Sequence, residues 1–235
     1  MKESKYRIIE EYILKQIENG ELSVGDQIMT EEQLSQMFSF SRMTVNKALN
    51  HLNEAGYIKR IPGKGSFVAT PVYHKSSINI SSFSEDMKQI GLNAGSKLLT
   101  YQVVKASAFP DIRDKLNLNN DDMIHYFIRL RTGNNIPIAI SYNYVSANIV
   151  SAIDISQLNQ SFYGYLDSLG IMRVAKDMEL SAYLPDEQQK QYLQIDNTAL
   201  LVATHVTYTS VNGREVPFEY CKTCYNGDSY SYTFN

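Results

Sequence analysis

The chain has 235 residues, with 25 acidic and 22 basic side chains and a formal net charge of -3. This length fits one large domain, or a small domain beside a larger one. Hydrophobic residues make up 43% and charged residues 20% of the sequence, and no apolar run reaches the about 18 to 20 residues of a membrane-spanning helix. The composition therefore excludes a disordered, collagen-like or membrane-spanning chain.

The amino terminus and the cysteine content predict the compartment. Residues 1–6 contain no apolar signal core before a small-residue cleavage site. The sequence has only two cysteines, Cys221 and Cys224, which is typical of a protein from a reducing environment. We therefore expect a cytoplasmic protein.

Three helices are predicted in the amino-terminal part. Apolar residues recur every three to four positions over residues 6–19, which predicts the first helix. A capping box that begins at Thr30 predicts a second helix over residues 31–38. Ser41 can cap a third helix, whose inward-facing apolar residues keep helical spacing up to Gly56.

A hairpin is predicted after the third helix. Two short extended runs, over residues 57–61 and 66–69, are joined by Pro62-Gly63-Lys64-Gly65, a sequence typical of a sharp turn. A helix, a helix-turn-helix and then a basic hairpin is the element order of a winged helix-turn-helix.

Acidic and basic residues are concentrated in different stretches of the amino-terminal part. Residues 1–32 carry eight acids against four bases, whereas residues 42–64 carry five bases against the single acid Glu54. On charge counts alone, the pattern fits either a solvated surface or a basic face. In the predicted fold the third helix enters the DNA major groove amino end first. The bases of residues 42–64 lie on this helix and on the hairpin that follows it, so the fold favours the basic face.

Candidate DNA-binding residues lie near the start of the third helix and in the hairpin. Arg42 can donate to a phosphate or to guanine, and Asn46 can pair with adenine or hold a phosphate. The hairpin glycines let the backbone approach a duplex, and the basic side chains attract phosphates. The predicted set is Thr30, Glu31, Ser41, Arg42, Thr44, Asn46, Lys47, Lys59, Arg60, Gly63, Lys64 and Gly65.

Four spaced blocks, over residues 25–34, 41–49, 56–58 and 63–68, resemble the DNA-binding domain of GntR-family bacterial transcription regulators. The resemblance covers residues 5–69, and the blocks occur in the family's order. It implies a protein that binds a double-stranded DNA operator.

Two positions depart from the pattern of that family. Met29-Thr30 stands where the family commonly has Pro-Ser, and Asn46 stands where it commonly has Arg. The second departure implies a change in the operator sequence that is read.

A domain boundary is predicted where the helical periodicity stops. Thr70-Pro71 is followed by a serine-containing stretch, which is typical of a linker. We expect a winged helix-turn-helix domain over residues 1–70, a linker over 71–80 and a second domain over 81–235.

The second domain contains an internal repeat. The sequence Gly-Asn-Asn-Ile-Pro-Ile at residues 133–138 is echoed 80 residues later by Gly-Arg-Glu-Val-Pro-Phe at residues 213–218. Each copy is predicted to contain a strand, a short helix that begins near a Pro-Asp pair, a second strand, a hairpin turn and a third strand.

The repeat predicts an α+β fold. The hairpins are expected to pair residues 123–131 with 137–145, and residues 199–209 with 217–225, while a helical segment over 161–169 joins the two copies. These elements predict one antiparallel sheet with helices packed on it. Such a sheet can form a binding cleft for a small molecule.

Two arginines share one face of a predicted strand. Strand alternation places Arg129 and Arg131 on the same side of the sheet, about 7 Å apart. Such a pair repels unless an anion or carboxylates lie between the guanidiniums. The residues themselves leave two interpretations open: salt bridges with the domain's own acids, or an anion-binding site.

Residues 75–234 resemble the effector-binding UTRA domain of the HutC subfamily of GntR regulators. The motifs that carry this resemblance lie at residues 82–87, 129–131, 161–163 and 217–228. The resemblance implies a chorismate lyase-like fold and a small anionic effector, a sugar phosphate or a carboxylate. The implied effector-binding set is Ser82, Phe83, Ser84, Arg129, Arg131, Ser141, Ser161, Tyr163, Glu219 and Tyr225.

The resemblance also implies separate roles within this set. In sugar-phosphate-sensing relatives, the positions matching Arg129, Arg131, Ser161 and Tyr163 hold the anionic group, and those matching Glu219 and Tyr225 help to hold the rest of the ligand. Ser141 departs from the pattern, because such relatives often carry Glu there. The implied ligand is an anionic metabolite, and the resemblance does not identify its sugar part.

The cysteine pair has a spacing that occurs in metal and redox motifs. No second cysteine pair exists, and the four histidines show no ligand-like spacing to Cys221 and Cys224. Three positions apart on a strand, the two thiols point to opposite faces. We therefore expect neither a metal ion nor a cofactor.

These features predict a dimeric, ligand-controlled DNA-binding transcription regulator. We expect a repressor that reads an inverted-repeat operator as a homodimer and is released by its effector. The alternatives are a small-molecule enzyme of chorismate lyase-like fold with a tethered DNA-binding module, and a constitutive DNA binder with a vestigial pocket. The sequence shows no Ser-His-Asp order, metal cluster or cofactor loop, which favours a regulator without enzymatic activity.

Overall fold

The structure, a computed structural model, describes residues 4–69, 73–75, 82–89 and 91–232. The chain divides into two compact units, Met1–Tyr73 and His74–Asn235. The predicted linker over 71–80 lies mostly outside the described residues. The domain limits expected from the sequence, at residues 70 and 81, therefore stay predictions.

The first unit consists of three helices and a hairpin. The helices are α1 (Lys5–Glu18), α2 (Glu31–Phe38) and α3 (Arg42–Glu54), and the strands are β1 (Ile58–Ile61) and β2 (Gly65–Val68). β1 and β2 pair antiparallel, with Ile58 opposite Val68. The predicted winged helix-turn-helix is confirmed, and α2 has the predicted bounds.

Burial in the first unit follows the helical spacing of its apolar residues. α1 packs on α3, and the side chains of Ile9 and Val45 are fully buried. Leu34 of α2 and Ile58 of β1 are also buried. Burying an apolar side chain of this size stabilises a fold by about 1.5 to 3 kcal/mol. Hydrophobic packing therefore holds the helices and the hairpin together.

The predicted capping box at the start of α2 is present. The Gln33 backbone N–H donates to Thr30 Oγ1 at 3.2 Å, and the Thr30 backbone N–H donates to Gln33 Oε1 at 2.8 Å. We expect Thr30→Ala to lower the free energy of unfolding by about 1 kcal/mol, because an N–H at the helix start loses its acceptor. Urea unfolding followed by circular dichroism measures this effect, with Thr30→Ser as the control that keeps the acceptor. Equal stability of Thr30→Ala and the wild type would contradict the assignment.

The second unit is built on an antiparallel sheet. A short strand, β3 (Tyr73–Lys75), lies at the boundary of the two units. The strands of the second unit are β4 (Ala94–Lys105), β5 (Met123–Gly133), β6 (Ile136–Ser146), β7 (Val174–Tyr183), β8 (Leu200–Val211), β9 (Arg214–Asn226) and β10 (Tyr230–Tyr232). The main sheet has the order β4-β5-β6-β9-β8-β7, and β10 pairs with β3 in a separate ladder.

Short helices connect these strands. The α-helices are α4 (Phe83–Gln89), α5 (Pro110–Lys115), α6 (Phe162–Ser168) and α7 (Glu187–Leu193), and 3-10 turns lie over Ala106–Ala108 and Ile155–Asn159. Within the part of the chain that the structure describes, no helix is long and apolar enough to cross a membrane.

The two halves of the main sheet confirm the predicted repeat. The first copy runs through β4, α5, β5 and β6, and the second runs through β7, α7, β8 and β9. β6 pairs antiparallel with β9 at the centre, while β4 and β7 form the edges. The two copies are therefore related by an approximate two-fold axis between β6 and β9, and the α+β class is confirmed.

In both copies the proline of the repeated motif lies at a β-bulge. The extra residue is Ile138 in the first copy and Phe218 in the second, and both side chains are fully buried. Proline cannot donate a ladder hydrogen bond, so a bulge is a position where a sheet tolerates it. In the second copy the bulge interrupts strand alternation directly before Glu219.

The two faces of the main sheet carry separate hydrophobic cores. One face includes Phe127 and is covered by α6 through Phe162. The opposite face includes Ile140 and is covered by α7 through Leu193. The α6 face also carries the polar residues of the candidate site, because Arg129 and Arg131 follow Phe127 in alternation along β5.

Candidate functional site

The amino end of α3 presents polar and basic side chains to solvent. Ser41 caps the helix, with the Thr44 backbone N–H donating to Ser41 Oγ at 3.3 Å. Arg42, the first residue of α3, is exposed. Lys47 is also exposed, and its Nζ lies 4.4 Å from the centre of the Tyr6 ring. This end of α3 therefore offers hydrogen-bond donors that an approaching phosphate or base edge can reach.

The turn between β1 and β2 requires both of its glycines. Gly63 and Gly65 have φ angles of +73° and +120°, a region that side chains with a Cβ rarely adopt. A Cβ at Gly65 would lie 2.5 Å from Gln27 Nε2, which donates to the Lys64 carbonyl oxygen at 3.0 Å. The side chains of Lys59 and Lys64 are exposed. The hairpin tip thus combines a fixed backbone shape with solvent-facing ammonium groups.

Three of the predicted DNA-binding residues contact one another. Asn46 Nδ2 donates to Glu31 Oε1 at 3.1 Å, and the Arg60 guanidinium forms an ion pair with the same carboxylate. The hydroxyl of Thr30 is engaged in the capping box of α2. Arg60 was predicted as a base that attracts phosphates, whereas the structure pairs its charge with Glu31.

The second unit contains a cavity on the α6 face of the main sheet. The sequence-predicted residues that line it are Ser82, Phe83, Arg129, Arg131, Ser141, Ser161, Tyr163 and Tyr225. Ser84 and Glu219 are not part of the lining. The fold therefore brings most of the predicted effector-binding set to one place.

Arg129 and Arg131 form a cationic wall of the cavity, and they are only 5% and 4% exposed. Arg131 Nη1 donates to Ser96 Oγ at 3.1 Å, and Arg129 Nη2 donates weakly to Asn143 Oδ1 at 3.4 Å. Four buried atoms of this region have no hydrogen-bond partner within the part of the chain that the structure describes: Nε of both arginines, Nη1 of Arg129 and the neighbouring Ser141 Oγ. Neither guanidinium forms an ion pair with a carboxylate among the residues that the structure describes. Their charges thus have no direct partner at the cavity surface in this part of the chain, although the buried Glu219 carboxylate acts on Arg129 from a distance.

Burial sets the electrostatics of this wall. It disfavours the charged form of a guanidinium, so the pKa of Arg129 is lowered. Burial and the positive charge of Arg129 together lower the pKa of Arg131 to about 9. A bound anion would offset both effects, because hydrogen bonds between a guanidinium and an anionic oxygen are short, strong and often bidentate. The geometry therefore favours a ligand with a negatively charged group.

Glu219 lies behind the cavity wall and is completely buried. Its carboxylate accepts hydrogen bonds from Asn143 Nδ2 at 2.8 Å and from Thr207 Oγ1 at 2.9 Å. The Tyr163 hydroxyl lies 3.1 Å from His205 Nε2 and 3.5 Å from Thr207 Oγ1. Burial and the charge of Glu219 raise the pKa of Tyr163, so this phenol stays protonated. In this arrangement Glu219 orients the side chains of the wall from behind.

Thr207→Val should lower the free energy of unfolding of the second unit by about 1 to 3 kcal/mol, because a buried carboxylate loses a donor while the shape hardly changes. Chemical unfolding monitored by tyrosine fluorescence measures the loss. Thr100→Val, at a partly buried position of edge strand β4, is the matched control. If both variants unfold like the wild type, the hydrogen bond to Glu219 does not stabilise the fold.

The cavity also includes residues that the sequence analysis missed, namely Asp86, Asn143, Phe162, Met178, Ala203, His205, Cys221, Thr223 and Tyr232. A signal for several of them was present in the sequence. Asn143 follows Ser141 by two positions on β6, and Cys221 and Thr223 precede Tyr225 by four and two positions on β9. Strand alternation places each of these residues on the cavity face. Extending the alternation from β5 to its neighbouring strands would have found them.

The two cysteines lie on opposite faces of β9, as predicted. Cys221 lines the cavity, whereas Cys224 packs into the core on the α7 face. Burial raises the pKa of Cys221 to about 12 and that of Cys224 to about 11, so both thiols are protonated at neutral pH. Within the described ranges, no three His, Cys, Asp or Glu side chains are grouped so that they could hold a metal ion.

Comparisons with known protein families match both units of the chain. Residues 5–68 match the family described as bacterial regulatory proteins, gntR family. Residues 89–231, more than half of the chain, match the UTRA domain family. The two matches follow the order of the two structural units.

Similar proteins extend over most of the chain. The HTH-type transcriptional repressor NagR of Bacillus subtilis (strain 168) is 31% identical over 230 residues, which cover 97% of this chain and 92% of that protein. The histidine utilization repressor of Pseudomonas putida is 24% identical over 196 residues, which cover 81% of this chain and 76% of that protein. The crystal structure of the possible transcriptional regulator YydK from Bacillus subtilis has a TM-score of 0.58 and 25% identity, and 99% of each chain is covered.

Proposed function

This chain belongs to the GntR family of bacterial transcription regulators, in its HutC-like branch with a UTRA domain, and we propose that a small anionic metabolite releases it from its operator. The relatives described above include transcriptional repressors, so the chain is assigned to ligand-responsive repressors. The nature of the effector, the residues that bind it and the homodimer are the parts that we propose.

The anionic nature of the effector rests on one observation. Arg129 and Arg131 line a cavity, and their guanidinium groups carry buried nitrogens that have no hydrogen-bond partner among the described residues. A phosphate or carboxylate group can accept charge-assisted hydrogen bonds from both side chains at once. Ser161 and Tyr163 line the same cavity, which supports a role for them in holding this group.

The remainder of the effector is proposed to be polar, as in a sugar phosphate or a hydroxylated carboxylate. Ser141 Oγ is buried, has no hydrogen-bond partner in the described ranges and can bond to a ligand hydroxyl. The buried Tyr225 ring also lines the cavity and can pack against the flat face of a sugar. Burying polar groups without partners is unfavourable, so a ligand that bonds to them stabilises the second unit.

Operator binding is proposed for the exposed basic residues of the first unit. Arg42 at the start of α3 and Lys59 and Lys64 in the hairpin are exposed, as phosphate contacts require. We propose that a homodimer places two such surfaces on an inverted repeat, because a two-fold symmetric protein matches a two-fold symmetric site.

Effector and operator are proposed to be linked thermodynamically. If the effector weakens operator binding by some factor, the operator must weaken effector binding by the same factor. Coupling free energies of this kind are typically about 1 to 3 kcal/mol. Such coupling can switch a repressor without direct contact between the two ligands.

A ligand panel tests the anionic effector. Thermal melting of the full chain is followed with inorganic phosphate, a hexose 6-phosphate, a hydroxycarboxylate and the corresponding neutral hexose. A true ligand raises the melting temperature by mass action, with about 2.7 kcal/mol of stabilisation at 100 times its Kd. We expect stabilisation by at least one anion and none by the neutral hexose. Stabilisation by the neutral hexose alone would contradict the proposal.

A further inference from the structure

Four side chains of the first unit form a closed hydrogen-bonded ring, which we call the wing ring. The Arg60 guanidinium of β1 donates to Glu31 of α2 through Nη2 and to Asn50 of α3 through Nη1. Asn50 Nδ2 donates to Asn46 Oδ1 at 3.0 Å, and Asn46 Nδ2 donates to Glu31 Oε1 at 3.1 Å. The wing ring therefore ties the hairpin to α2 and to α3.

The charged members of the wing ring fix the orientation of its amides. A guanidinium has only donors, so Asn50 must turn its oxygen toward Arg60 and its nitrogen toward Asn46. A carboxylate has only acceptors, so Asn46 must turn its nitrogen toward Glu31. Both amide orientations agree with this requirement. The Asn46 amide thus stands on α3 in one defined orientation, with its second N–H and its second oxygen lone pair unused by the ring.

The wing ring also neutralises one base of the predicted DNA-binding surface. Arg60 and Glu31 form an ion pair at side chains that are 30% and 37% exposed. Among the described residues, Arg42, Lys59 and Lys64 have no such acidic partner. A carboxylate at a surface that meets phosphates opposes binding, so Glu31 reduces the attraction of this surface for any duplex.

We propose that Glu31 is a specificity residue that withholds the charge of Arg60 from DNA phosphates and orients Asn46 for contact with a base edge. Phosphate contacts add affinity for every sequence, whereas base contacts distinguish sequences. Withholding one phosphate contact therefore lowers the affinity for every duplex alike, whereas fixing one base contact raises the ratio of operator to non-operator affinity. This inference rests on the proposed function, in which α3 and the hairpin meet the duplex.

The test compares Glu31→Gln with Glu32→Gln in the full chain. Both variants change the net charge by the same amount, but Glu32 is an exposed neighbour outside the wing ring. Binding to a fluorescent duplex of random sequence is measured between about 50 and 200 mM salt, where each phosphate contact contributes about -0.9 to the slope of log K against log salt. We expect the slope of Glu31→Gln to be steeper by about 0.9 than that of Glu32→Gln.

The expected affinities follow from the same charge. At low salt Glu31→Gln should bind the random duplex roughly 3- to 10-fold more tightly than Glu32→Gln, and most of this gain should disappear at high salt. The ratio of operator to random affinity should fall for a separate reason, because Asn46 loses the carboxylate that fixes its amide for contact with a base edge. The operator is taken as a fragment that the wild type selects from genomic DNA.

A double variant identifies the released charge. In Glu31→Gln/Arg60→Gln the additional slope should vanish, because Arg60 is the base that Glu31 neutralises. Equal slopes for Glu31→Gln and Glu32→Gln, or a steep slope that persists in the double variant, would overturn the inference. Melting temperatures of all variants show whether the first unit remains folded.

The outcomes separate this inference from the proposed function. If the wild type binds no duplex, the proposed function fails and the inference fails with it. If the wild type binds its selected fragment and Arg42→Ala weakens that binding, but Glu31→Gln behaves like Glu32→Gln, only the inference fails.

Discussion

Arg131→Met is expected to raise the melting temperature of the ligand-free protein and to abolish its stabilisation by anions. The side chain of Arg131 is buried beside the like charge of Arg129, and its Nε has no hydrogen-bond partner among the residues that the structure describes. Replacing a buried ion pair or triad by apolar residues of similar volume is often stabilising by about 1 to 4 kcal/mol, and a buried charge without a paired carboxylate costs at least as much to desolvate. Methionine fills a similar volume and has a flexible side chain that can pack against Phe83.

The same substitution removes half of the proposed anion contact. Losing one partner of a buried charge pair typically costs about 2 to 5 kcal/mol of binding free energy, which is roughly a 30-fold to more than 1,000-fold loss of affinity. Two effects of opposite sign from one substitution are therefore expected: a more stable ligand-free protein and a lost ligand response.

Thermal melting with and without inorganic phosphate measures both effects. Lys97→Met removes a charge from an exposed position of neighbouring strand β4 and is the control. For a unit of this size, 1 kcal/mol corresponds to about 2 to 4 °C in melting temperature. A variant that is less stable than the wild type, yet still stabilised by phosphate, would contradict the uncompensated arginine wall.

Arg42→Ala is expected to weaken operator binding by roughly 1 to 3 kcal/mol, or about 5- to 150-fold, at low salt. Arg42 is exposed at the first position of α3, so its loss should leave the fold intact. If Arg42 contacts a phosphate, the loss should be similar for operator and random duplexes and the salt slope should become shallower by about 0.9. If it contacts guanine, the loss should be larger for the operator.

Fluorescence anisotropy with both duplexes measures this difference. Lys15→Ala removes the same charge from the exposed face of α1 and is the control. Operator affinities that are equal for Arg42→Ala, Lys15→Ala and the wild type would contradict the placement of α3 in the groove.

The helices of the first unit could be predicted because their signals are local. The capping box at Thr30 and the serine cap at Ser41 each act within three residues, and the structure contains both. The hairpins of the second unit could be predicted for the same reason, because the repeated Pro-containing motif marks both of them. Strand alternation from Arg129 to Arg131 then correctly placed both guanidiniums on one buried face.

Other features of the sites depend on contacts between distant residues. Glu31 and Arg60 are 29 positions apart, so charge counts could not show that their charges neutralise each other. Alternation along β9 is continuous from Tyr225 back to Glu219 and so indicates its face, but the hydrogen bond that Glu219 accepts from Asn143, 76 residues earlier, could not be predicted. Alternation shows which face a side chain occupies, but it does not show which atoms remain without partners.

The most direct test of the account is a reciprocal titration of the full chain. The wild-type protein is titrated with its selected DNA fragment in the absence and in the presence of a saturating anion that raises its melting temperature. It is then titrated with the anion in the absence and in the presence of the fragment. The account predicts that each ligand weakens the other by the same factor, about 5- to 150-fold. Fragment affinity that stays the same when the cavity is saturated would contradict it.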